Sequence, residues 1–203
     1  MNIEEWFRKI RTKYSDHMQC GKGCTACCYG LFDITLADAL DVGRGFQSLP
    51  SNVQGQVLSR ANALHRKIRG SAPGLHEPTI LAEDDARLDA IVDAANIAPC
   101  PCLGEAGECL IYEKRPVACR LEGVPMVDIH EGLFGDWCEL NFKEGIPAKA
   151  LNDLRQDYNR IDEVQETRSA AVAQRAGLSD HRAVTLIPSV IAEYETFWKE
   201  LIG

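Results

Sequence analysis

The chain has 203 residues, 45% of them hydrophobic and 26% charged, a balance that excludes a disordered or fibrous protein. Its net charge of -8 excludes nucleic acid as the main partner, because phosphate backbones demand a basic surface that displaces counterions. Runs free of charge are too short to span a membrane, and Met1-Asn-Ile-Glu-Glu lacks the apolar stretch of a secretory signal, so a cytoplasmic protein with no membrane partner is expected.

Residues 3–14 place Ile3, Trp6, Phe7, Ile10 and Tyr14 at the spacing of an amphipathic helix, with Asn2 as N-cap. The glycine-punctuated stretch from Cys20 to Cys28 reads as a loop. After Ile34, Thr35-Leu-Ala-Asp38 resembles a capping box and starts a helix carrying Leu36, Ala39 and Leu40, with Gly43 and Gly45 expected to limit it. Pro50-Ser51 opens another helix through Val53, Val57, Leu58, Ala61, Leu64 and Ile68, ended by Gly70-Ser-Ala-Pro-Gly74. His65 lies near its apolar face and reads as a packed or surface histidine rather than a ligand.

Residues 83–97 are helical in pattern through Leu88, Ile91, Val92 and Ala95, and Pro99 closes them. From Cys100 the texture changes to Pro, Gly and Cys, with a strand-like run at Cys109-Leu-Ile-Tyr112 and a turn or short helix at Arg115-Pro116. Residues 147–176 predict one long helix, with Pro147 near its start, Leu151, Leu154, Tyr158 and Ile161 on one face, and Gly177 beyond its end. A last helix over roughly 188–201 buries Ile191, Tyr194, Trp198 and Leu201. These elements define a mainly α class: a single helical domain over 1–203 with an irregular cysteine-rich metal-binding subregion. That subregion covers about residues 18–140, and the C-terminal helices about 147–202.

Nine cysteines cannot all pair internally, and without an export signal they are expected to stay reduced and available as ligands. Thiolates select zinc, copper(I) or iron in clusters, usually four to a centre, so two centres are conceivable. Cys24 and Cys27 form a CxxC that chelates across a tight turn. Cys27 and Cys28, read as an extended pair whose side chains point to opposite sides, are expected either to face different centres or to leave one of them beside a centre without binding it; a vicinal disulfide between them would be strained. Spacing alone leaves zinc and iron–sulfur open. CxxxCxxC from Cys20 is also the spacing of radical S-adenosylmethionine enzymes, yet Ala26 stands where those carry an aromatic residue, and no strand–helix series exists for their barrel.

Four thiolates around either metal core leave a net charge of roughly -2, which Lys22, Lys114, Arg115 and Arg120 are placed to offset. Glu105, Glu108, Glu113 and Glu122 are lesser candidates for carboxylate ligation, and His17 and His130 for a fourth ligand. No Cys–His motif points to a thiol nucleophile.

The combined pattern CxxxCxxCC from Cys20, Cys100-Pro-Cys-Leu103 and Cys109-Leu-Ile-Tyr112-Glu-Lys-Arg115-Pro116-Val-Ala-Cys119-Arg120 resembles the YkgJ-type cysteine-cluster proteins, described as zinc- or iron-chelating domains. The resemblance implies ligand roles for Cys20, Cys24, Cys27, Cys28, Cys100, Cys109, Cys119 and Cys138. Cys102 stands where that pattern usually has an aromatic residue and is the spare. The expected cofactor is an iron–sulfur cluster, slightly favoured, or zinc, with the metal ion or cluster as partner. The cysteine motif is also similar to that of flagellin lysine methylases, which implies an enzymatic alternative: a redox protein or an S-adenosylmethionine-dependent modifier of protein side chains.

Overall fold

The computed structural model describes residues 3–21, 23–95 and 98–202, so the Asn2 cap, Lys22 and the last two residues of the predicted 83–97 helix lie outside the description. Helix α1 (Ile3–Lys13) turns Trp6, Phe7 and Ile10 inward. Strand β1 (Asp33–Thr35) runs into α2 (Leu36–Gln47), where the Thr35 hydroxyl accepts the Asp38 amide and caps the helix. Helices α3 (Ser51–Ser71) and α4 (Arg87–Ala95) follow, then the short α5 (Val117–Leu121). A hairpin of β2 (Met126–Asp128) and β3 (Gly132–Gly135) precedes α6 (Ala148–Leu154), β4 (Arg155–Gln156) and α7 (Tyr158–Ala176). The chain ends with β5 (Val184–Leu186), α8 (Ile187–Ala192), a π turn over Tyr194–Trp198, and α9 (Lys199–Ile202). The fold is mostly helical, and none of the described helices is long and apolar enough to cross a membrane.

Three apolar clusters hold these pieces together. The largest joins α2, α3 and the 187–202 segment around Leu36, Val42, Val57, Val190, Ile191 and Trp198. A second packs α1 on α6 and the residues after α5, through Trp6, Phe7, Val124, Phe142 and Leu154. The third lies under α3 and α4 around Ile68, Leu81, Ile91 and Leu186. Antiparallel pairing of β1 with β5 ties the start of α2 to the start of α8.

Several elements depart from the sequence reading, each for a local reason. Helix α2 does not stop at Gly43 and Gly45 but runs through both. A side chain at Gly43 would meet the tip of Ile202, and one at Gly45 would lie 2.9 Å from Ile111 Cβ and 3.0 Å from Lys114 Cβ. The glycines therefore serve close packing inside the helix rather than termination. The 147–176 helix is broken at Arg155–Gln156, which extend to pair in parallel with β2. Asp157 then recaps the chain by accepting the Arg160 amide, and Asp128 accepts the Tyr158 amide at 3.1 Å. Gly177 does close α7, in the left-handed conformation at φ 68.

The strand-like Cys109–Tyr112 makes only an isolated bridge, Leu103 to Cys109, before a 3-10 turn at Tyr112–Lys114. Burial of Ile111 against Gly45 of α2 takes the place of ladder pairing. The last helix is interrupted by the π turn, where the Glu193 carbonyl accepts from both Phe197 and Trp198.

Candidate metal centre

The first cysteine segment curls instead of extending. Ala26–Cys28 is a 3-10 turn, with the Cys28 amide donating to Thr25 and the Cys24 amide to Gly21. The extended geometry expected of Cys27 and Cys28 is therefore absent, and both residues border the same cavities.

Backbone hydrogen bonds sew the downstream cysteines to this turn. The Cys100 amide donates to the Cys28 carbonyl at 2.7 Å, and Tyr29 bridges to Pro99. A tight loop closed by Gly104 N to Glu108 O and Leu110 N to Cys102 O brings Cys109 back beside Cys102. Pro116 opens α5 and sets Cys119 in it, while the buried Asp38 of α2 accepts the Val117 amide at 3.1 Å. Cys138 is attached to the end of α5 through its amide, which donates to Glu122 O.

All nine thiols are free, and they line two adjoining chambers. The smaller, about 60 Å³, is walled by Cys27, Cys28, Cys100, Cys102, Cys109 and Cys119. The larger, about 320 Å³, is walled by Cys20, Cys24, Cys27, Cys28, Cys109, Cys119 and Cys138. Cys27, Cys28, Cys109, Cys119 and Arg115 border both. Each of the eight cysteines singled out from the sequence, and Cys102, borders one or both of these chambers. The sulfurs stand apart: among the described residues no three of them all lie within 4.8 Å of one another.

Burial dominates the thiol chemistry. It raises Cys20 and Cys119, and pushes Cys109 up to about 11. The interaction of Cys102, 1% exposed, with Cys100 holds Cys100 below and Cys102 above the ordinary thiol range. The spare cysteine therefore acts on a neighbouring thiol.

Of the candidate cations among the described residues, Arg115 is the one at the chambers. Its guanidinium lies 5.0 Å from the Phe7 ring centroid and 4.4 Å from that of Tyr112, while its buried Nε and Nη2 have no hydrogen-bond partner. Arg120 borders neither chamber; it is buried against Glu4 of α1 and donates to the Glu113 carbonyl. Lys114 lies against α2 at Gly45. Glu108 and Glu122 border the larger chamber, whereas Glu105 and Glu113 border neither. The two histidines considered as fourth ligands stand away from both: His17 stacks on Phe142, with ring centroids 5.7 Å apart, and His130 is an exposed residue following β2.

Sequence reasoning missed Asn141. It is 1% exposed, and its Nδ2 donates to Cys20 Sγ at 3.0 Å and to the Gly123 carbonyl, while its Oδ1 accepts the Gln19 amide at 2.7 Å. Gly123 leaves room for this arrangement, since a Cβ there would come within 2.7 Å of Cys20 Sγ. The sole sequence signal for Asn141 is its position three residues after Cys138.

Compared with family models, with curated proteins and with solved structures, the chain matches none.

Proposed function

We propose that this chain is a cytoplasmic, cysteine-ligated metal-binding protein whose centre is an iron–sulfur cluster, built in an irregular cysteine-rich part of a single helical domain. The observation that carries the reading is Arg115: a half-buried guanidinium with two unpaired N–H donors, set between chambers walled by thiols. Unpaired buried donors are costly, and an anionic thiolate-bound centre supplies the charge and acceptors they lack. Cys27, Cys28, Cys109 and Cys119 are the residues best placed to hold it, with Cys100 or with Cys20, Cys24 and Cys138 completing the set on either side. When bound, a cluster supplies one-electron chemistry or a fixed link between distant segments.

Sulfur spacing favours the cluster over zinc. A tetrahedral zinc site with bonds of about 2.3 Å holds its sulfurs roughly 3.8 Å apart, closer than any cysteine triad here. In a cluster each thiolate binds its own iron and the sulfurs stand further apart. The resemblance to the YkgJ-type motif supports the same ligand set.

Anaerobic purification followed by iron, zinc and acid-labile sulfide analysis and an absorption spectrum tests the reading. A brown protein with iron matched by sulfide is expected; a colourless protein with stoichiometric zinc overturns the preference for a cluster. An enzymatic reading is favoured by one observation, the 320 Å³ chamber, which reaches the low end of ligand pockets at roughly 300–1,000 Å³. A spectral change on adding S-adenosylmethionine to the cluster-loaded protein would move the proposal to that class.

A further inference from the structure

A second group of ligand atoms lies outside the cysteine region, where α3 packs along α8. His65 of α3, Glu77 of the following loop and Glu193 at the end of α8 bring one ligand atom each to within 4.8 Å of one another, the one such His, Cys, Asp or Glu triad among the described residues. His65 Nε2 stands 3.6 Å from Glu193 Oε1 and 3.8 Å from Glu77 Oε1. Bonds of about 2.1 Å to a tetrahedral ion put ligand atoms roughly 3.4 Å apart, so a small inward shift closes the triad.

The surroundings hold these atoms ready. His65 is 7% exposed, and its Nε2 has no hydrogen-bond partner. Its Nδ1 lies 3.2 Å from the Ser189 hydroxyl, which can accept an Nδ1–H and so support the tautomer whose Nε2 is free to bind a cation beside the two carboxylates. Glu193, 2% exposed, accepts the Thr79 amide and hydroxyl, and the Thr79 carbonyl is itself held by Thr185. The π turn begins at the next residue, which widens the helix where Glu193 turns inward. Arg69 Nη1, on an exposed side chain, now lies 2.5 Å from Glu77 Oε1 and must share or yield that oxygen.

We propose that His65, Glu77 and Glu193 form a binding site for a divalent first-row transition cation, separate from the cysteine chambers, with water completing the coordination shell. Imidazole with two carboxylates suits manganese, iron or zinc, and the half-exposed Glu77 gives the ion its way in. The site clamps α3 to the start of the π turn. It does not depend on what the cysteines bind.

Manganese(II) is the probe, because thiolates take it poorly and the cysteine chambers then stay silent. The purified full chain is titrated with manganese(II) while the signal of the free ion is followed by electron paramagnetic resonance. One ion per chain is expected to disappear from solution, with a higher melting temperature in its presence. Glu77→Gln, at a surface position that tolerates change, is expected to weaken binding at least tenfold with unchanged circular dichroism, and His65→Asn to abolish it. Persistence of the full free-ion signal at one equivalent of wild-type chain overturns the proposal. So does a folded Glu77→Gln chain that binds as tightly as wild type.

Discussion

Asn141 Nδ2 lies 3.0 Å from Cys20 Sγ and also donates to the Gly123 carbonyl, so one buried amide joins the first cysteine to the end of α5. Replacing it by Ala leaves the Gly123 carbonyl buried without the amide it accepts, at about 1–3 kcal/mol for a buried polar group so stranded, and frees the part-buried Gln19 amide. Asn141→Ala is expected to lower the urea midpoint accordingly and to reduce metal content at the larger chamber. A midpoint within experimental error of wild type would mean that solvent replaces the amide at no cost.

Cys119→Ser tests the coupling of metal to folding. Binding that draws loops from both halves of the chain contributes on the order of 10 kcal/mol to stability. The variant is expected to lose metal and melting temperature together, read by metal analysis and a thermal melt on the same preparation. Loss of metal with an unchanged melt would show that the fold stands without it.

Arg115→Met keeps much of the aliphatic contact with Phe7 and Tyr112 but removes the unpaired donors. Removing an outer partner of a metal site typically costs 10- to 100-fold in affinity. Chelator challenge of wild type and variant is expected to strip the variant at correspondingly lower competitor concentration. Equal resistance would assign Arg115 to packing alone.

Asp38 carries a pH signature. Burial raises its folded-state carboxyl to about 6 from an unfolded value of 3.8, despite the Val117 amide it accepts. Between those values the folded chain holds a proton that the unfolded chain has released. This residue's contribution to stability therefore rises as pH falls from above 6 towards 4, by up to about 3 kcal/mol. Asp38→Asn is expected to flatten that part of the pH profile, measured as urea midpoints at pH 7 and pH 5. An identical slope in the variant would assign the pH dependence elsewhere.

The two helix glycines of α2 should respond differently to Ala. A methyl at Gly45 meets the stems of Ile111 and Lys114, which are fixed in the turn before α5, and overpacking of this kind costs about 1–3 kcal/mol. At Gly43 the obstacle is the movable end of Ile202, and the gain in helix propensity, about 1 kcal/mol, offsets the strain. Gly45→Ala is expected to melt lower and to lose metal, with Gly43→Ala close to wild type. Equal melting temperatures for the two variants would refute the distinction.

Much of the helical frame was legible because apolar periodicity and caps are local signals: α1, the Thr35 cap, α3 and the Gly177 stop follow from residues within one turn of each other. The break at Arg155–Gln156 was not, since it depends on β2, a partner thirty residues away in the chain. Gly43 and Gly45 misled for the same reason, as their use is a contact with Ile202 and Ile111 and not a backbone turn. At the candidate site, the cysteines announced themselves by type and spacing. The directions of Cys27 and Cys28 did not, because a 3-10 turn and an extended segment look alike in so short a stretch. Asn141 offered only its place three residues after Cys138, and His65, Glu77 and Glu193 share no spacing, being assembled by packing between distant elements.

The curled segment that holds Cys20 to Cys28 meets its first downstream partner, Cys100, only after α2, α3 and α4 have been made. During synthesis four thiols therefore leave the ribosome early and wait without the walls that later shelter them. That interval is when oxidants and soft metal ions reach them most easily, so the state of these thiols should depend on the redox conditions and metal supply at translation more than on conditions applied afterwards.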